Sequence, residues 1–403
     1  MNIILVVIDG LGDRPVSELQ NQTPLEAAAT PNLDEFAEKG LTGTVDTFYS
    51  PEQGYPRSDT AHLALLGYDP EQDYLGRGPY EVAGIGMDLQ QGDVALRANF
   101  GTVDENLTVK DRRADRISET QELVESLQGQ EIKGVKFLVK KAYGHRAGLI
   151  MRSEKKLSAE VTNGDPHQTG VEVNRVEPEE DSEAAMFTAQ VLNEFLEKAH
   201  EILKNHSFNE KRKEQDKLPG NYLLVRGAGQ LENTESFTDK FGLKAACIAG
   251  GALYKGVGKL VGMDLINVPG DTGLPDTDLE AKFEAATRVT GDYEFVFVHV
   301  KPVDNLAEDG NFRGKKDFIE KIDRTIKPVL DLSDTLVAIT ADHSTCSALK
   351  RHCVDPVPIV IGDSEQDSVD EFSEEACEKG SLAEIKQKEI MNKLLKLAKV
   401  NQN

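Results

Sequence analysis

The sequence of 403 residues contains no apolar run near the roughly 20 residues that a helical membrane span needs, which excludes a membrane partner of that kind. It begins MNIILVVIDGLGDRP, with no basic segment ahead of the apolar stretch and no small-residue cleavage site. The apolar run breaks at Asp9, so a buried first strand is expected here rather than a signal peptide. Cysteine is scarce: Cys247, Cys346, Cys353 and Cys377 form no C-x-x-C pair and no disulfide-rich pattern, so a reducing, cytoplasmic setting is expected. Positive charge is also scarce. Lys and Arg number 46 against 70 Asp and Glu, a formal charge of −24, which argues against nucleic-acid binding by the whole surface. Only 16 of those cations are arginine, so an anionic substrate requires them to be gathered locally. Nothing in the sequence decides between a monomer and a homo-oligomer. No internal repeat is visible.

What is present is an alternation of short Val/Ile/Leu-rich runs with amphipathic segments, which predicts an α/β core whose mainly parallel sheet is covered by helices. The runs lie at 3–8, 221–226, 245–248, 294–300, 334–340 and 357–361. TPNLDEFAEKG predicts a helix capped by Thr30 and stopped by Gly40, while DTDLEAKFEAATRV, DFIEKIDRTIKPVL and the closing SLAEIKQKEIMNKLLKLAKV show helical spacing. Shorter, more polar strands (VALRANFGTV, VKFLVKK, AGLIMRS) occupy the middle, followed by a long helix near 182–204 and the charged stretch NEKRKEQDKLPG, expected to be an exposed linker or loop. Residues 73–240 are therefore expected to form a smaller α/β domain inserted into a discontinuous core of 1–72 and 241–403, with an active site between the two.

Four segments carry metal-competent side chains: ILVVIDG, ending in Asp9; HVKPVDNLAED, with Asp304, Glu308 and Asp309; TLVAITADHSTC, with Asp342 and His343; and His352 in KRHCVDPVP. In the first three these groups follow a strand directly. Open α/β sheets place their ligands at the carboxyl ends of strands. Each segment alone is ordinary, because an Asp after a strand more often caps a turn. Together they supply enough carboxylates and imidazoles for two divalent ions. In YPRSDTAHLALLGYDP, Ser58 is expected at or near a helix N-terminus, either as a plain cap or, beside a metal ion, as a nucleophile.

VVIDGLGDRP, TPLEAAATPNLDEFAEKG, SDTAHLALLGYDP, YLGRGPYEVAGIGMDL, DRRADRI, LLVRGAG, GLKAACIAGGALYKGV, PDTDLEAK and ITADHST together resemble the archaeal-type cofactor-independent (2,3-bisphosphoglycerate-independent) phosphoglycerate mutases of the alkaline phosphatase superfamily. The resemblance runs in order over nearly the whole chain. It implies an alkaline-phosphatase-like core and an isomerase of glycolysis and gluconeogenesis acting on a small phosphorylated carboxylate. The implied reaction moves the phosphoryl group of 3-phosphoglycerate onto Ser58 and back to the 2-hydroxyl, with two divalent metal ions. By position, Asp9, Ser58, Asp342 and His343 would surround one ion, and Asp304, Glu308 and His352 the other. Arg112, Arg113 and Arg116 of DRRADR, with Arg226, His145, Arg146 and Lys255, would meet the substrate, since Arg forks match phosphate and carboxylate oxygens. One of the three DRRADR arginines is also expected to pair with Asp111 or Asp115 on the surface.

Two departures stand out. Position 308, usually histidine in the family, is Glu308, which shifts the expected preference from zinc toward manganese or magnesium, with cobalt and zinc still open. Arg57 precedes the nucleophile where a small residue is usual, and is read either as a phosphate clamp, the favoured reading, or as a turn residue pointing to solvent. Three other readings remain at this level. One is a metal-dependent phosphatase or phosphonate hydrolase, another a homoserine kinase-like phosphotransferase, and the last a non-catalytic binding protein.

Overall fold

A run without polar alternation needs cover on both faces. IILVVI has it: strand Asn2–Ile8 is fully buried from Ile3 onward in the computed structural model, which describes residues 1–51, 54–232, 234–362, 366–367 and 369–399. The strand pairs in parallel with Phe295–Val300 on one side and Thr335–Thr340 on the other. The sheet has eight strands, in the order Asp264–Leu265, Ala245–Ile248, Phe295–Val300, Asn2–Ile8, Thr335–Thr340, Val357–Gly362, Gly40–Asp46, Glu384–Lys386. Helices Leu279–Val289 and Phe312–Leu330 follow the helical spacing of the sequence, and each is capped by a side chain, Asp278 onto Ala281 N and Asn311 onto Gly314 N. These elements belong to one compact unit, Met1–Tyr74 with Thr234–Asn403; the other unit is Leu75–Asn233.

The second unit is built on an antiparallel sheet. Strand Val94–Val103 pairs with Arg146–Ser153, with Tyr222–Gln230 and with the short Val109–Asp111, and Val135–Lys141 continues the sheet beyond Arg146–Ser153. Strand Val135–Lys141 alternates buried and open positions, as a strand covered on one face should. Its Phe137 stacks on Phe195 of helix Glu183–Lys204 at a centroid separation of 4.0 Å. Each of these rings, fully buried, contributes roughly 1.5–3 kcal/mol.

Several expectations are corrected. The 221–226 run is an antiparallel strand of the second unit, not of the parallel sheet. Val357–Gly362 is antiparallel to both neighbours, because a buried strand reads alike in either direction. The charged stretch is not all linker: Ser207–Glu214 is helical. The closing segment begins as strand Glu384–Lys386 before helix Ile390–Leu397. Thr30 makes no capping bond to the backbone of its helix, which ends at Glu38, and Gly40 opens the next strand. Against the expectation of reduced cysteines, Cys346 and Cys353 are joined as a disulfide. Among the described residues no helix is long and apolar enough to cross a membrane.

Candidate metal centre and anion-binding cluster

In the first unit the carboxyl ends of three parallel strands deliver acidic groups to one place. Asp9 follows Ile8, Asp304 lies in helix Pro302–Glu308 just after Val300, and Asp342 and His343 follow Thr340. All four are essentially buried. Gly10 lets this packing happen. It adopts φ +68°, and a Cβ there would lie 2.7 Å from Asp304 Cβ and 2.6 Å from Thr345 Oγ1. Ser58 is the first residue of helix Ser58–Leu65, and its Oγ lies 3.2 Å from His343 Nε2. His352 arrives on a two-stranded ribbon, Ser344–Cys346 with Arg351–Cys353, and stacks on His343 at 3.7 Å. Its Nδ1 donates to the Pro56 carbonyl (2.9 Å), which turns Nε2 toward Asp304 Oδ1 at 3.5 Å.

The electrostatics are those of crowded buried carboxylates. Burial raises the Asp342 carboxyl well above the usual range, and Asp9 adds to it. For Asp9 and Asp304 burial acts the same way, but the Lys301 ammonium and the neighbouring imidazoles, His299 at Asp9 and His352 and His343 at Asp304, together outweigh it and hold both well below the usual range. Lys301 Nζ lies 3.1 Å from Asp9 Oδ1 and 2.5 Å from Asp304 Oδ2. Burial pushes His343 down to about 3, whereas at His352 burial is outweighed by Asp304 and the ring rises to about 9.

These residues fit divalent cations. Asp304, His343 and His352 each offer a ligand atom within 4.8 Å of the others, and so do Asp9, Asp342 and His343. Asp342 Oδ2 is buried and, although 3.1 Å from His343 Nε2, it lacks hydrogen-bond geometry to any donor among the described residues. A buried anionic oxygen without a donor is costly unless a cation meets it. Glu308 stands at the rim. Its side chain is about half exposed and its Oε1 lies 3.7 Å from His352 Nε2, outside both groups. Asp309 caps the end of helix Pro302–Glu308 and is exposed.

Sequence reasoning missed the groups that hold these ligands. His299 Nε2 is 2.9 Å from Asp9 Oδ2, and Tyr254 stacks on the His299 ring at 3.5 Å. Thr345 Oγ1 donates to Asp304 Oδ1 (2.6 Å). Lys315 is fully buried, and its ammonium reaches the Gly10, Gly12 and Thr345 carbonyls and Asp13 Oδ2, at 2.8, 3.1, 3.0 and 3.0 Å. It ties the loop after Asp9 to the ribbon that carries His352. Arg57 is engaged by Asp59 Oδ2 (2.6 Å) and the Tyr74 hydroxyl (2.9 Å). Lys255 lies half-buried on helix Ala252–Leu260, next to Tyr254.

The second unit gathers the scarce arginines. Arg112 grips Asp165 with two bonds, Nε to Oδ1 at 3.0 Å and Nη2 to Oδ2 at 2.6 Å, and Arg226 Nη1 is 3.7 Å from the same carboxylate. Arg77 and Arg97 share Glu81 Oε1, each at 3.1 Å. The expected surface pairs do not form: Asp111 accepts from the Arg113 backbone N–H and Asp115 from that of Leu218. Arg113, Arg116 and Arg146 are exposed, and His145 is half-buried beside Arg146. Burial, with the Arg146 and Arg113 charges, pushes His145 down to about 3. Its ring is expected to stay neutral from about pH 7.5 to about pH 5 in an NMR titration of labelled histidine; protonation with a midpoint above about 6 contradicts this reading of the cluster.

Comparison with known proteins gives the family. The family described as "Metalloenzyme superfamily" matches residues 1–397. The 2,3-bisphosphoglycerate-independent phosphoglycerate mutase 1 of Archaeoglobus fulgidus is 46% identical over 409 residues, covering 99% of this chain and 98% of that protein. Its counterpart from Methanocaldococcus jannaschii is 44% identical over 406 residues, covering 99% and 98%. Among solved structures, the cofactor-independent phosphoglycerate mutase of Thermoplasma acidophilum is 38% identical with a TM-score of 0.73, covering 98% of this chain and 99% of that one. With buried carboxylates and imidazoles at its strand ends and full-length likeness to these proteins, the chain belongs to the 2,3-bisphosphoglycerate-independent phosphoglycerate mutases, isomerases of the metalloenzyme superfamily.

Proposed function

We propose that the chain interconverts 3-phosphoglycerate and 2-phosphoglycerate, a step of glycolysis and gluconeogenesis, through a phosphoserine formed at Ser58. The observation that carries this is Ser58 Oγ at a helix start, 3.2 Å from His343 Nε2, the nitrogen that Asp342 Oδ2 approaches to 3.1 Å and Asp9 Oδ1 to 3.8 Å. Asp9, Ser58, Asp342 and His343 would hold one divalent ion, and Asp304, Glu308 and His352 a second, with manganese or magnesium favoured by the oxygen-rich set. When bound, such ions neutralise phosphoryl charge and lower the pKa of a nearby hydroxyl. The chain's own part is positional. The helix start turns the positive end of its dipole toward a phosphoryl group at Ser58, and His299 and Lys301 fix the Asp9 carboxylate. Arg112, Arg113, Arg116, Arg146, Arg226 and Lys255, with Arg57 as a clamp, would neutralise phosphate and carboxylate. His145, held neutral, would handle a proton at the glycerate hydroxyls.

Metal-stripped protein given 3-phosphoglycerate with manganese, magnesium, cobalt or zinc tests this when 2-phosphoglycerate and inorganic phosphate are followed together. The expected result is 2-phosphoglycerate without matching phosphate release, fastest with manganese or magnesium. Phosphate without 2-phosphoglycerate would identify a hydrolase instead. Glu308→Ala is expected to weaken manganese binding about tenfold, measured against a competing chelator. Unchanged metal content and activity would remove Glu308 from the site.

A further inference from the structure

The ribbon that presents His352 has a second face. Its register pairs Thr345 with His352, Ser344 with Cys353 and Cys346 with Arg351. Side chains alternate across a strand, so Thr345 and His352 share one face while Cys346 and Cys353 share the other. On the first face Thr345 bonds Asp304 and His352 stacks on His343. On the reverse face the two sulfurs are joined diagonally across the ladder, with the Cα atoms 6.0 Å apart, an ordinary disulfide span. Each strand of the ribbon contributes only three residues, and a two-stranded ribbon that short has little stability of its own.

We propose that Cys346 and Cys353 are a thiol–disulfide exchange site for low-molecular-weight disulfides, and that the cross-linked state tightens the site's hold on its metal by fixing the strand that carries His352. The coupling rests on the metal role given to His352 above. The two sulfurs differ in access. Cys353 lines an open cavity of about 520 Å³ together with Arg14, Tyr55, Lys350 and Arg351. Access to that cavity makes Cys353 the entry sulfur. Cys346 is fully buried, with its Sγ 3.6 Å from Asp355 Oδ2, and acts second. The Cys353 thiolate attacks a small disulfide RSSR, forming the mixed disulfide Cys353–S–SR and releasing RS⁻. The Cys346 sulfur then displaces the second RS⁻ to close the Cys346–Cys353 bond. Two cysteine thiols are oxidised, one RSSR is reduced to two RSH, and the two S–H protons end on the released thiolates. Cys247 and Cys377 are buried, and burial raises both thiols to about 12, so they serve as unreactive internal controls.

The full-length protein, incubated with oxidised or reduced glutathione, would be alkylated, digested and mapped by mass spectrometry. Manganese affinity would be measured in each state by chelator competition. The expected result is one cross-linked peptide joining Cys346 to Cys353 after oxidation, with manganese held about tenfold more tightly than in the reduced protein. The doubly substituted Cys346→Ser, Cys353→Ser protein should match the reduced wild type and ignore glutathione. Alkylation of both cysteines after oxidation overturns the exchange site. A mapped cross-link with equal manganese affinity in both states overturns the coupling alone. A mapped cross-link with no manganese bound in either state overturns the coupling and the metal assignment of His352 together.

Discussion

Replacing Ser58 by alanine is expected to lower turnover at least about 10⁴-fold, the scale on which loss of an attacking nucleophile is felt. The change removes one buried hydroxyl oxygen from the first residue of a helix, where alanine is well tolerated, so the protein should fold as before. Far-ultraviolet circular dichroism and the hydrogen exchange of the Asn2–Ile8 amides should be unchanged. Manganese binding should weaken by about tenfold at most, because the other ligands remain. This combination separates a missing nucleophile from a damaged site. Turnover within about tenfold of wild type would mean that the phosphoryl group does not pass through Ser58.

The second large effect concerns Lys315, which touches no proposed substrate group. Its buried ammonium meets three carbonyls and the Asp13 carboxylate, which in turn accepts the Ser347 N–H and hydroxyl. Lys315→Met takes away the ammonium that meets the buried Asp13 carboxylate. Breaking such a pair from one side costs about 3–5 kcal/mol. With two compact units in the chain, one unfolding midpoint is a poor gauge. Hydrogen exchange of the Asn2–Ile8 amides is the better measurement, and it should accelerate by the factor that this energy sets. Adding Asp13→Leu to Lys315→Met should recover part of the loss, since no charge is then left unpaired. Exchange rates equal to wild type in Lys315→Met would show that the ammonium does not hold these segments.

The candidate ligands are legible because acid follows closely after each of three apolar strands, and parallel sheets bring those ends together. The supporting groups were hidden by the same rule of reading. His299 sits inside the FVFVHV run and looks like an ordinary strand position, yet its ring bonds Asp9. Lys301 follows that strand and was passed over for Asp304, although its ammonium bridges the two carboxylates. Lys315 stands in the charged stretch RGKKD and reads as a solvated helix face. Its spacing to Phe318, Ile319, Ile322, Ile326 and Val329 is that of the buried stripe, and this was the available signal. Asp165 had no local signal at all, because the Arg112 it holds lies 53 residues away in the chain. The Cys346–Cys353 pair needed the turn at 347–350 before seven residues of separation became a bond across a ribbon.

Trapping the phosphoserine tests whether the phosphoryl group passes through Ser58. Manganese-loaded protein would be mixed with 3-phosphoglycerate, quenched in acid within the first turnovers, digested, and searched by mass spectrometry for phosphorylated peptides. Phosphate is expected on Ser58 in the protein quenched during turnover. Formation of 2-phosphoglycerate with Ser58 unmodified throughout, or with the phosphate on another residue, would contradict it.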